Sequence, residues 1–250
     1  MPIYESRGIE YEITQGMMNL MEGSASLPCY WSYPKIGGRY PAIALVHDWW
    51  GITPQVRRMA NFFAQNGYYV IVPDLFGGKQ PTTQDEAIAQ VKALGDQGYA
   101  RVNAALVALE QHHHTNSDVA VVGLGIGGSL AYEAAILRPE LEAAVACFGF
   151  PQRYFGHLKK VKKPVLALYG ADDPFISSVD QEQARAELAQ SVPAAAHQFH
   201  IFPQVGREFL FENNNPADRE AGQQAIRLIF DFLRLHLRPP ERPTRPLRKN

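Results

Sequence analysis

The chemistry in this chain gathers around a glycine-rich turn. The apolar run Val119-Ala120-Val121-Val122 passes into Gly123-Leu124-Gly125-Ile126-Gly127-Gly128 and then into helix-forming residues from Ser129 to Leu137. A tight turn between a strand and a helix aims backbone N–H groups and a helix N-terminus at one point. That arrangement suits holding an anion or lifting a nucleophile above a sheet. The central residue is Gly125, which has no side-chain atom to attack a carbonyl. Gly123, Gly125 and Gly128 also satisfy a dinucleotide fingerprint, but the strand that follows ends Ala146-Cys147-Phe148-Gly149-Phe150, with no acid to hold a ribose. Neither a nucleotide nor any other cofactor is expected.

Stand-ins for a nucleophile or a base are few. Ser129 lies one helical turn past Gly125, where a small serine commonly packs or caps. His47 ends an apolar run and is the best alternative base by type, although a structural role is favoured. His112, His113 and His114 close a helix-length segment, where imidazoles meet the helix dipole favourably. They lack a spaced further ligand, so no metal is expected. His197 and His200 flank a strand as packing or surface residues. Cys29 and Cys147 stand in separate apolar segments and read as buried, reduced thiols.

These residues need a scaffold, and from about residue 40 short apolar runs alternate with amphipathic segments. This is the pattern of a parallel sheet with crossover helices. Expected strands are 42–46, 68–72, 119–122, 143–148, 165–169 and 198–202. Expected helices open near Pro54 and stop at Gly67, then span 83–94, 99–111, 129–137, 181–189 and about 218–237. In the closing helix, Ala225, Leu228, Ile229, Phe232, Leu235 and His236 recur at three- and four-residue spacing and predict a face on the sheet. Met17 to Met21 and Leu27 to Tyr33 predict an antiparallel pair at its edge.

In that order the chain resembles the dienelactone hydrolase family of α/β-hydrolases. The carriers are His47-Asp48-Trp49-Trp50-Gly51, Pro73-Asp74-Leu75-Phe76, the elbow Gly123-Leu124-Gly125-Ile126-Gly127, Gly170-Ala171-Asp172-Asp173-Pro174, and Phe202-Pro203 leading to Gly206-Arg207-Glu208-Phe209. The resemblance implies an α/β-hydrolase fold, a mostly parallel twisted sheet with helices on both faces and an N-terminal antiparallel edge. It also implies a cysteine at the elbow, an aspartate and a histidine. Here those slots hold Gly125, Asp173 and Arg207, and arginine stays protonated and cannot serve as a general base. Arg207 is expected to pair with Asp173, with both arms of its fork available for a bidentate contact. The amides of Trp49 and Ile126 are expected to point into the slot as oxyanion-type donors. His47, Asp48, Trp50 and Ser129 are pocket candidates. Asp48 takes the place of a family glutamate that contacts the nucleophile, and is expected to have lost that partner.

The chain has 250 residues, 46% hydrophobic, with a formal net charge of −1. That is enough to bury one large core, and gives no general pull toward nucleic acid. No stretch is long and apolar enough to span a membrane, and no secretory signal is recognised, so the chain reads as cytoplasmic. Residues 1–237 are expected to form one domain. Residues 238–250 form a Pro/Arg-rich tail that includes Arg238, Arg242, Arg245, Arg248 and Lys249. The tail is either a solvating end or a docking peptide for a protein partner, with nucleic acid disfavoured. The leading expectation is an inactive binding or assembly subunit, with a small anionic or carbonyl ligand in the former site. The alternative is an ester or lactone hydrolase working with Ser129, His47 or a bound water.

Overall fold

In a computed structural model, described here for residues 10–22, 25–191, 196–211 and 215–241, one eight-stranded sheet runs through the molecule. Two ten-residue strands, Ile13–Glu22 (β1) and Ala25–Pro34 (β2), pair antiparallel, as the alternating sequence before residue 40 predicts. β2 then pairs antiparallel with Tyr69–Pro73 (β4), which lies parallel beside Tyr40–Val46 (β3). Thr115–Leu124 (β5), Ala143–Cys147 (β6), Val165–Gly170 (β7) and Gln198–Phe202 (β8) continue in parallel register. The full order is β1-β2-β4-β3-β5-β6-β7-β8.

β3 and β4, then β6 and β7, are buried along their whole length, because helices cover both faces of the sheet. One core lies under Pro54–Gln65 (α1) and the closing helix Pro216–His236 (α6). The other lies under Gln97–Gln111 (α3), Ile126–Leu137 (α4) and Ser178–Ala189 (α5). Gln84–Leu94 (α2) buries only Ala87. Each buried Leu, Ile, Val or Phe contributes about 1.5–3 kcal/mol of transfer free energy, so two such layers supply most of the drive to fold.

Helix ends follow local chemistry. The hydroxyls of Thr53, Thr83 and Ser177 accept from the N–H groups of Val56, Glu86 and Asp180, and Pro54 and Pro216 stand in first turns, where a missing N–H costs nothing. Two expectations change. α4 begins at Ile126 rather than Ser129, because Gly125 itself is the cap residue. In α6 the buried face is Ala225, Ile226, Ile229, Phe230, Phe232 and Leu233, whereas Leu235 is 70% exposed.

The start of the tail is docked on the domain. The backbone N–H of Arg238 donates to Asp118 Oδ2 at 2.7 Å, its Nε donates to both carboxylate oxygens at 2.9 and 3.0 Å, and its Nη2 reaches the Asn116 carbonyl at 2.9 Å. Arg39 and Glu241 form an antiparallel bridge beside it. Arg238, expected as part of a partner-binding tail, is thus clamped to Asp118 within the chain. Arg242, Arg245, Arg248 and Lys249 lie outside the described residues. Among the described residues no helix is long and apolar enough to cross a membrane.

Candidate active site

At the carboxyl end of β5 the chain turns sharply into α4, and Gly125 takes φ 57° and ψ −115°. A side chain would be strained there, but space is the stronger constraint. A Cβ built on Gly125 would fall inside the Asp48 carboxylate. The position from which an elbow residue would project is thus filled from the neighbouring strand end, by the residue two past β3. Gly125 and Asp48 are two halves of one packing solution.

In place of the nucleophile it was expected to lack, Asp48 has other partners. Its Oδ1 accepts from the N–H of Trp49 at 2.8 Å and of Ile126 at 2.9 Å. These are the two amides expected to hold an oxyanion, and they hold an internal carboxylate instead. Oδ2 makes the longer contact, 3.8 Å to Arg207 Nη2. Burial pushes the Asp48 carboxyl up, and the nearby Glu208 charge pushes the same way. Arg207 and the two amides pull it down, and the net direction is upward.

Arg207 does not clasp one carboxylate with both arms. Nη1 donates to Asp173 Oδ2 at 3.1 Å while Nη2 faces Asp48. The remaining Asp173 oxygen accepts from the N–H of Phe175 at 2.8 Å. The guanidinium lies against the rings of Phe148, Phe150 and Phe175, 5.2, 4.5 and 5.5 Å from their centroids. Trp49 packs edge-on against Phe175 and Trp50. Arg207 is only 7% exposed, so a fixed positive charge sits between two carboxylates under an aromatic cover.

The other candidates do different work. His47 is wholly buried. Its Nδ1 donates to the Asp48 carbonyl at 2.7 Å and its Nε2 accepts from the Leu75 N–H at 2.9 Å. Burial lowers its pKa, so it is a neutral strut with no lone pair to spare. Ser129 Oγ accepts from Phe150 N–H at 2.9 Å and lies near the Gly125 carbonyl at 3.4 Å, which joins the elbow to the segment after β6. Cys147 is fully buried and its thiol is pushed up by desolvation, so it supplies no thiolate.

A cavity of about 310 Å³ opens on Asp48 and is walled by Trp50, Thr53, Gln55, Glu208 and Phe211. A second, of about 390 Å³, is lined by Ile126, Ser129 and Phe150, by Lys92, and by Arg153 and Asp96, which pair at 2.7 Å. The sequence reading missed Glu208, Phe211 and the rings around Arg207. Glu208 directly follows Arg207 and Phe175 lies two residues past Asp173, so sequence proximity to the altered slots was the available signal.

A profile described as the dienelactone hydrolase family matches residues 27–237. The chain is 28% identical over 214 residues to a carboxymethylenebutenolidase of Rhodococcus opacus, covering 79% of this chain and 82% of that protein. It is 26% identical over 201 residues to a carboxymethylenebutenolidase homolog of Mus musculus, covering 77% and 81%. A crystal structure of a putative dienelactone hydrolase from Klebsiella pneumoniae subsp. pneumoniae MGH 78578 superposes with a TM-score of 0.75 at 22% identity, over 89% of this chain and 99% of that one. The expectation of an inactive binding or assembly subunit is corrected by these relatives, whose names are those of enzymes.

Proposed function

From the premise that this chain belongs to the dienelactone hydrolase family, we propose that it is a carboxylic ester or lactone hydrolase in which Asp48 activates a water. The reading departs from the usual elbow nucleophile because Gly125 offers none. The observation that carries it is the state of Asp48. One carboxylate oxygen is anchored by two amides, and the other faces a guanidinium beside a cavity that the residue lines.

The pieces divide the work as follows. Anchoring Oδ1 fixes the orientation of the base, so little reorganisation accompanies proton transfer. Desolvation raises the basicity of Asp48 while Arg207 keeps its ionised form accessible. A water at Oδ2 gives its proton to Asp48 as its oxygen bonds to the ester carbonyl carbon. The oxyanion that develops lies in the field of Arg207, a cation that Asp173 and Phe148 hold in place behind Asp48. Collapse breaks the bond to the alcohol oxygen, which takes the proton from Asp48 and leaves an acid and an alcohol. The Trp49 and Ile126 amides thereby orient the base, and the positive charge comes from the residue in the histidine slot.

The test is hydrolysis of 4-nitrophenyl acetate and of a simple lactone by the wild type and by Asp48→Asn. Asparagine can still accept from both amides, so the fold should persist while kcat/KM drops by about 10²-fold or more, the usual contribution of a positioned base. Equal rates in the two proteins, or no hydrolysis of any ester by the wild type, would overturn the proposal.

A further inference from the structure

The cavity beside Asp48 has a charge character of its own. Among the described residues, its wall contains the carboxylates of Asp48 and Glu208 and the aromatic side chains of Trp50 and Phe211, and no lysine, arginine or histidine. Behind that wall Asp173 adds a third carboxylate, and Arg207 is the cation paired there. Its guanidinium is already shared between Asp48 and Asp173. Glu208 is exposed at the cavity, and its field reaches Asp48 strongly enough to push that carboxyl upward.

We infer that this pocket selects esters carrying a positively charged group, a quaternary or primary ammonium on the alcohol or acyl portion. The inference rests on the proposed hydrolase reading and adds the substrate class to it. A cation entering here meets two large aromatic side chains and the carboxylates of Glu208 and Asp48. Those surroundings favour an ammonium over a neutral group of the same shape. An anionic ester meets Glu208 and Asp48 and is repelled. The volume of about 310 Å³ leaves room for a compact ammonium group beside the ester.

The decisive comparison is acetylcholine against its uncharged carbon isostere, 3,3-dimethylbutyl acetate. For the wild type the ratio of their kcat/KM values should be about tenfold in favour of the cation, and in Glu208→Gln it should fall toward one. Taking the ratio cancels any effect of Glu208 on Asp48 that both esters share. A wild-type ratio of one, or a preference unaltered in Glu208→Gln, would sink the cation pocket while leaving hydrolysis of neutral esters standing. If neither ester is cleaved, the hydrolase reading is decided by 4-nitrophenyl acetate and the lactone, and the pocket is judged by tetramethylammonium titration followed by calorimetry. Saturable binding weakened several-fold by Glu208→Gln supports the pocket, and lack of saturable binding overturns it.

Discussion

Asp48 must be ionised to take a proton, and its carboxyl is held above the ordinary aspartate value of 3.8, chiefly by burial. The rate should therefore fall as pH drops through a point higher than an exposed aspartate would give. A pH profile of kcat/KM for a neutral ester checks this, and a profile flat down to pH 4 would contradict it. The pairing of Asp48 with Gly125 makes a separate claim about stability. Gly125→Ala introduces a Cβ at the Asp48 carboxylate, and Asp48→Ala clears that space. In a double-mutant cycle by urea unfolding, the double variant should be more stable than the two single losses predict, by about 0.5–3 kcal/mol. Strict additivity would mean that the carboxylate does not occupy this space. Restoring a nucleophile with Gly125→Cys alone meets the same obstruction, so a reversion of the elbow requires Asp48 to change as well.

Among the elements, α6 shows how a periodic pattern can be correct in kind and off by one residue in detail. Leu235 continues the three- and four-residue spacing, yet Phe232 and Leu233 take the buried positions at that end of the helix. Phe232→Ala should cost about 3–5 kcal/mol in a urea melt, and Leu235→Ala should stay within about 0.5 kcal/mol. Similar losses at both positions would mean that the helix is rotated. The elbow helix α4 teaches a related point. Its sequence start is masked by three glycines that look like loop, but Gly123 and Gly127 are glycines because backbone packs on backbone there. A Cβ on Gly127 would strike the carbonyl of Val46. Composition alone reads such residues as breakers, and only the neighbouring strand explains them.

For the molecule as a whole, the clamp between Arg238 and Asp118 ties the end of α6 to the start of β5. Burial raises the Asp118 carboxyl, but the Arg238 side chain and backbone N–H together hold it below its usual value. A carboxyl depressed in the folded state contributes stability above its unfolded pKa, near 3.8, and loses that contribution as pH falls through the folded value. Arg238→Ala should therefore lower Tm at pH 7, with the gap to wild type closing as the pH is taken below about 3.8. A gap that persists undiminished in acid would show that Arg238 acts through packing rather than charge.

Much of this was legible in the chain. Apolar runs alternating with amphipathic segments determined a parallel sheet with crossover helices, since only elements buried on both faces carry such continuous runs. The order of short motifs pointed to the family, and the residue types at 125 and 207 supply neither a nucleophile nor a general base at those positions. The tertiary structure decided what took their place. Asp48 lies 77 positions before Gly125, and no local periodicity links them. They meet because β3 and β5 are parallel neighbours whose ends open on the same crevice. Burial, two backbone amides and a shared guanidinium then fixed Asp48 in the site. Such effects depend on distance and desolvation, which a linear pattern does not encode.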